Sequence, residues 1–327
     1  MIAGFFISGL THGAAHRGLE TVLSRADQGN VVLPSESEQA LLSTMGLADA
    51  AVGPCRAMAM NAPVTGRHFL CADPIQLILN RNLLILDDPG NVQLTASEAT
   101  QLLSEINSHF STDGIVLEQL SRHRWILSVP DAPDIVALSP YELTGKNIME
   151  HLPQGDNAIS WHAWLTEVQS LLHLSSVNQQ REERGLAAVN SLWLWGSGNP
   201  LENNELTWDH IYTDDPLVSG LASVSGSSTA DLDTVDWSKV KGVDKVLVVL
   251  TPEAVQRQVG NIESVEHYFN LIHDLWLEPA LDAVRKRQLS EIVIYTESCA
   301  PFTLSRYSLL RWWRRRKPLS YYRANSL

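Results

Sequence analysis

Four carboxylates stand out by their positions. Asp214 and Asp215 in "YTDDP", Glu253 in "TPEAV" and Glu297 in "YTESC" each follow a short apolar run that reads as a strand. Open α/β sheets build their sites at such carboxyl ends. Four carboxylates without histidine would suit Mg²⁺ or Mn²⁺ better than zinc. The plainer use of the same residues, as helix N-caps and loop acids, is the favoured one. His12 and His16 lie four apart, but no H-E-x-x-H pattern surrounds them, so polar surface histidines are expected. "NSLWLWGSGNP", residues 190–200, carries neither the order of a G-x-S-x-G elbow nor a G-x-G-x-x-G fingerprint. With a strand's period of two, Trp193 and Trp195 share one face, and Leu192 and Leu194 the other. That pattern predicts a strand apolar on both faces, central in a main sheet, with Gly196 and Gly198 in a tight turn at its end.

The elements that must position these residues alternate between strands and helices. "MIAGFFIS" reads as a buried first strand, followed by a glycine-containing turn and a helix. "HFLCADPIQLILNRNLLILDD" holds two strand-like pieces, and "TASEATQLLSEINSHF" is an amphipathic helix whose Thr95 and Glu98 form a capping box. "GIVLEQL" and "HRWILSVP" are short strands joined through Ser121 and Arg122. A long helix follows, with Trp161, Trp164, Leu165, Val168, Leu171 and Leu172 on one face and Gly185 as its stop. Beyond it, "SLWLWG", "WDHIYTDDP", "KVLVVLTP" and "EIVIYTES" alternate with helices and loops. "SVSGSSTADLD", residues 223–233, reads as a mobile loop. The fold class is α/β: a doubly wound, mostly parallel sheet with an inserted smaller α+β domain. The core is expected over 1–66 and 185–327, and the insertion with its connecting helix over 67–184.

Composition sets limits on function. The 327 residues are 44% apolar and 19% charged, a globular profile with ample length for a large core. No apolar run reaches the roughly 18 residues that span a bilayer. Cys55, Cys71 and Cys299 show no C-x-x-C spacing, so reduced thiols and a cytoplasmic location are expected. Net charge is −13, yet from Ser298 onward there are seven basic residues and no acidic ones, which leaves about −20 on the remainder. An acidic body repels nucleic acid, so only the tail, with Arg311, Trp312, Trp313, Arg314, Arg315 and Arg316, could meet an anionic partner. Two readings of this tail stay open: a partner, membrane-surface or RNA contact, or a final helix packing Leu304, Tyr307, Leu309 or Leu310, and Trp313 on the sheet. The second is favoured.

"LLHLSSVNQQREERGLAAVNSLWLWGSG" is similar to a segment of archaeal-type cofactor-independent phosphoglycerate mutases, members of the alkaline-phosphatase superfamily that reads H-P-V-N, then Arg, Gly, A-N and a strand ending in R-G-x-G. With "FLCADPIQLILNRN", "YTDDPLVSGLA" and "FTLSRYSLLRWWRRRKPL", nearly the whole chain resembles the RpfE-type regulatory proteins of that group.

The resemblance implies an alkaline-phosphatase-like core and a site where a nucleophile stands between two divalent cations held by Asp and His. It also implies that this ligand set is broken. Ser8 in "ISGLTHG" stands in the place of the first-strand Asp, "TPEAVQRQVG" keeps only Glu253 of D-E-A-G-H, and "YTESCAPF" has Glu297 but no His. Arg81, Arg124, Lys146, His173, Asn178, Arg181 and Asn190 fall in the segments most like the mutases' substrate-binding parts, where arginine would take phosphate bidentately. Trp195 stands where the mutase motif has Arg. The implied protein is a regulatory or interaction protein without metal or other cofactor, binding a protein partner or a small phosphorylated ligand. The alternatives are a divergent Mn²⁺- or Mg²⁺-dependent mutase or phosphoester hydrolase, and a sensor of a phosphorylated metabolite.

Overall fold

The computed structural model describes residues 1–12, 15–63, 66–198, 205–232, 235, 237, 243–252, 255–256, 262 and 264–324. The chain divides into two compact units, Met1–Asp49 with Asn203–Leu327, and Ala50–Glu202. The second unit is wider on both sides than the expected insertion.

In the first unit a seven-stranded sheet is centred on β1 (Ile2–Ile7), with β11 (Lys245–Leu250) on one side and β12 (Glu291–Tyr295) on the other, both parallel to it. Beyond β11 lie β9 (His210–Tyr212) and β10 (Ser228–Ala230), also parallel. Beyond β12 lies antiparallel β13 (Phe302–Ser305), then the two-residue β2 (Asp27–Gln28). The central strands are apolar on both faces because both are covered. One face seats Phe5, Ile7, Val248, Leu250 and Ile294 in a cluster with Leu19, Val22 and Leu23 of α1 (Arg17–Arg25) and with Ile272, Leu277 and Leu281. On the other face Trp208 meets Tyr295 edge-on and donates its indole N–H to Thr44 O at the end of α2 (Ser37–Thr44). Each fully buried Leu, Ile or Phe side chain contributes about 1.5–3 kcal/mol. A mostly parallel sheet covered on both faces is the expected fold class.

The second unit is built on a four-stranded antiparallel sheet, β6 (Val116–Ser121), β7 (Arg124–Val129), β3 (His68–Ile75) and β8 (Ser191–Gly198), in that order. A hairpin of β4 (Leu77–Asn80) and β5 (Leu83–Leu86) stands apart from it. One face of the sheet takes α4 (Ala96–His109), whose capping box forms as expected, with Thr95 accepting from Glu98 N and Glu98 accepting from Thr95 N. Leu102 and Ile106 of α4 pack there with Leu192 and Leu194 of β8. The other face takes α3 (Val52–Ala59), where Ala57 meets Phe69 and Ile126.

Three sequence expectations change. Strand β8 belongs to this smaller sheet as an edge strand, not to the main sheet, because its partner is β3; its two apolar faces are filled by α4 and α5 (Ala158–Leu174) on one side and by α3 on the other. The long helix is two helices, α5 (Ala158–Leu174) and α6 (Ser176–Glu183), since Ser175 takes extended geometry and caps the second by accepting from Val177 N. Residues 223–232 are ordered: α7 (Pro216–Ser225) ends on left-handed Gly226 and leads into β10.

Candidate functional site

At the carboxyl ends of β1 and β12, one carboxylate gathers donors from three chain segments. Glu297, only 5% exposed, follows β12. Its Oε1 accepts the hydroxyl of Ser8 at 2.8 Å and that of Ser37 at 2.7 Å. Its Oε2 accepts Gly9 N–H at 2.9 Å and the Thr296 hydroxyl at 3.0 Å. Ser8 and Gly9 form the turn after β1, where Gly9 takes φ +72, and Ser37 is the first residue of α2, so its position follows from that helix's start. Glu36 caps the same helix by accepting from Gln39 N at 2.6 Å. Four donors on one buried carboxylate is a full complement, each charge-assisted bond being about twice as strong as a neutral one.

The other carboxylates are placed differently. Asp215 is buried and caps α7, its Oδ1 accepting from Leu217 N at 2.9 Å and Val218 N at 3.4 Å. This is the N-cap use weighed from the sequence. Asp214 beside it is half-buried. Glu253 lies outside the described residues, as does the side chain of His12. Among the described residues no three His, Cys, Asp or Glu side chains stand together as a metal-binding group. Among the described residues, both oxygens of Glu297 are taken up by hydroxyls and an amide. His16 is not a surface histidine: it is buried and caps α1, Nδ1 accepting from Leu19 N at 3.0 Å while Nε2 meets Asn270 Oδ1 at the same distance.

The residues expected to hold an anion fall into two groups. Asn178, Arg181 and Asn190 are internal clamps. The Asn178 amide donates to Leu172 O and Val189 O and accepts from Val189 N. Asn190 pairs both ways with the backbone of Leu77. Arg181, 1% exposed, donates to Ala187 O, Gln93 O and Glu98. Burial alone would raise the Glu98 pKa, but the hydrogen bonds from Thr95 and the Arg181 charge outweigh it and hold the carboxyl below its ordinary range. Arg81, Lys146 and His173 are exposed, Arg81 at the β4–β5 turn with φ +55, and Arg124 is half-buried at the start of β7.

The tryptophans turn out to serve a buried ion pair that the sequence reading passed over. Asp73 of β3 and Arg56 of α3 meet bidentately, at 2.5 and 3.0 Å, both fully out of solvent. Trp195 donates its indole N–H to Asp73 Oδ2 at 2.8 Å, and the Arg56 guanidinium lies 5.4 Å from its ring centroid. Trp125 N–H gives Asp73 a further bond at 3.0 Å. Trp193 donates to Leu138 O. Thus Trp195 completes a structural carboxylate's shell. The signal was available in "HFLCADPI", a lone Asp within an apolar strand, which must find partners when buried. Gly196 (φ +62) and Gly198 do not make a phosphate cradle. β8 holds an extra residue between the pairs Cys71–Trp195 and Phe69–Gly198, and its backbone runs tight against α3: Gly196 O would lie 2.9 Å from a methyl placed on Gly53.

In the tail, Arg311 and Arg314 both reach Asp27, and Arg316 reaches Glu20 at 3.2 Å. The favoured packing of the stripe occurs only in part: Leu304 is buried in β13 and Leu309 packs half-buried against the core, while Tyr307, Leu310 and Trp313 are exposed, and the helix after β13 is a single turn, Arg306–Leu309.

The class these features define is a mixed α/β protein on a mostly parallel sheet with a second antiparallel unit, and the relatives agree. No family model matches the chain. Over 114 residues it is 30% identical to the 2,3-bisphosphoglycerate-independent phosphoglycerate mutase of Methanothrix thermoacetophila, covering 35% of this chain and 29% of that one. Over 125 residues it is 25% identical to the probable 2,3-bisphosphoglycerate-independent phosphoglycerate mutase of Geobacter sulfurreducens, covering 38% and 31%. The matched stretch is thus about a third of the relatives' own length. Among solved structures it is similar to the PH0037 protein of Pyrococcus horikoshii, with a TM-score of 0.51, 13% identity, and coverage of 92% of this chain and 86% of that one. A cofactor-independent phosphoglycerate mutase from Thermoplasma acidophilum aligns at 15% identity and a TM-score of 0.43, over 93% and 89%. The matched stretch is phosphoglycerate-mutase-like in sequence, and the fold of the chain is like that of the PH0037 protein. Among the described residues no helix is long and apolar enough to cross a membrane.

Proposed function

We propose that this chain is a regulatory or interaction protein on a phosphoglycerate-mutase-like scaffold that has lost two-metal catalysis, the reading its likeness to RpfE-type regulatory proteins implies. One observation carries it: at the strand ends, where a cation would need open carboxylate oxygens, both oxygens of Glu297 accept from Ser8, Gly9, Ser37 and Thr296. Seating a cation there would displace those donors. In this reading the protein works without Mn²⁺, Mg²⁺ or Zn²⁺, acts through a protein partner, and resides in the cytoplasm, where its three buried thiols stay reduced. A small phosphorylated ligand has less support, since Asn178, Arg181 and Asn190 are occupied within the fold.

The test is metal content, together with phosphoglycerate mutase and phosphatase turnover of purified protein supplied with Mn²⁺, Mg²⁺ or Zn²⁺. Metal-free, inactive protein is the expected result. A second reading, a divergent mutase, takes its support from the relatives in sequence, which are named as phosphoglycerate mutases. Turnover abolished by Asp214→Ala or Glu253→Ala would establish it and overturn the first.

A further inference from the structure

The C-terminal segment exposes more apolar and aromatic surface than a free protein face ordinarily keeps. Tyr307 is 80% exposed, Leu310 63%, Trp312 80% and Trp313 64%, four large side chains within seven residues. Contiguous exposed patches of this kind mark interaction sites. The segment carrying them is held in place. Arg311 bonds Asp27 and Arg25 O, Arg314 bonds Ala26 O at 2.7 Å, and Leu319 and Tyr322 of the following helix are buried in the main core. Around the aromatics stand the exposed cations Arg306, Arg315 and Lys317, with no acidic residue from Ser298 to the end. Arg314, Arg315 and Lys317 also line a cleft of about 430 Å³ floored by Leu23, Phe302 and Tyr322.

We propose that residues 306–317 form a membrane-surface contact for anionic phospholipid, with Trp312, Trp313, Tyr307 and Leu310 entering the headgroup boundary and Arg306, Arg315 and Lys317 meeting lipid phosphates. Tryptophan and tyrosine, apolar in body and polar at one tip, belong at that boundary, and cations beside them add attraction to anionic lipid. Leu310 favours lipid over nucleic acid: an aliphatic side chain gains from an acyl boundary and offers no ring for a base to stack on. The acidic body acts against an extended polyanion threaded along it, whereas a membrane touches the tail alone and the body's charge is screened beyond about 8 Å. The contact goes beyond the regulatory reading and does not depend on whether the scaffold has turnover.

Full-length protein is floated with vesicles of phosphatidylcholine alone or of equal parts phosphatidylcholine and phosphatidylglycerol. The expected result is binding to the anionic vesicles only, weakened by salt and reduced about tenfold or more in Trp312→Ala/Trp313→Ala, about 1.4 kcal/mol or more. Arg315→Glu/Lys317→Glu removes the salt-sensitive part. Both pairs are exposed, so circular dichroism should match the parent. Failure to float at low salt, or equal flotation of the tryptophan variant, overturns the proposal. Inorganic phosphate that displaces the protein at millimolar level would assign the site to a free anion and overturn it too, as would tighter binding of a single-stranded oligonucleotide than of the anionic vesicles.

Discussion

Ser8 and Ser37, 29 residues apart in the chain, give their hydroxyls to the same oxygen of Glu297, at 2.8 and 2.7 Å, and lie 3.3 Å from each other. One carboxylate thereby fixes the turn after β1 to the start of α2. Glu297→Ala leaves three hydroxyls, those of Ser8, Ser37 and Thr296, and the Gly9 N–H without their acceptor and should cost about 3 kcal/mol. Glu297→Gln should cost about 1 kcal/mol, because serine hydroxyls can turn to accept from the new amide while its oxygen still serves Gly9. Urea unfolding of the two variants measures the difference. Equal losses would show that the hydroxyls do not reorient.

Arg181→Ala is expected to act as a folding variant and not as a ligand variant. Its guanidinium holds Gln93 O, Ala187 O and Glu98 together inside the second unit. Removing it leaves Glu98 and two carbonyls short of donors, a loss of about 3–5 kcal/mol. Thermal unfolding should fall by several degrees with or without phosphoglycerate present. A variant of parental stability would return Arg181 to the list of ligand candidates.

The Asp73–Arg56 pair gives an asymmetric expectation. Asp73→Ala strands a buried guanidinium and should destabilise by about 3–5 kcal/mol. Trp195→Phe removes one charge-assisted donor from Asp73 and should cost about 1.5–3 kcal/mol. Replacing both ion-pair members with apolar residues, Asp73→Leu and Arg56→Met together, should recover much of the loss, since desolvating the two charges opposes their attraction. Denaturant midpoints of the three variants decide this.

Acid should loosen the tail. The Arg311 hydrogen bond, with Arg311 and Arg314 charges beside it, outweighs partial burial and holds the Asp27 carboxyl below its ordinary range. A depressed folded pKa gives stability that is fully present above the unfolded value, about 4, and is lost as pH falls through the folded value. At neutral pH, Asp27→Asn should imitate the acid state. Trypsin cleavage after Arg311 and Arg314 should then be several-fold faster than in the parent, with the rest of the chain cut at an unchanged rate.

Much of the architecture was legible where a local rule governs it. Thr95 and Glu98 mark a helix start because both partners of the box lie within one turn. The alternation of Leu192 and Leu194 against Trp193 and Trp195 was also legible, since it depends only on strand period. Which sheet β8 joins was not, because that is set by β3, more than a hundred residues earlier. Asn178 and Arg181 looked like ligands because asparagine and arginine serve anions and buried carbonyls with the same donors; only burial separates the two uses. Asp215 as a cap followed from "DDP" opening a helix. The Ser8–Ser37–Glu297 convergence did not, because Ser37 is placed by α2 and nothing in its neighbourhood names Glu297.

The tight seam between α3 and β8 has a consequence for reading variation in this chain. A methyl on Gly53 would fall 2.6 Å from the Leu70 backbone, and left-handed Gly196 has Cys71 Sγ and Val52 against it. A survey of tolerated substitutions that records only protein abundance would therefore mark these two glycines as sharply as any reactive side chain. Invariance along "WLWG" would report how closely a helix lies on a strand, with no chemistry behind it.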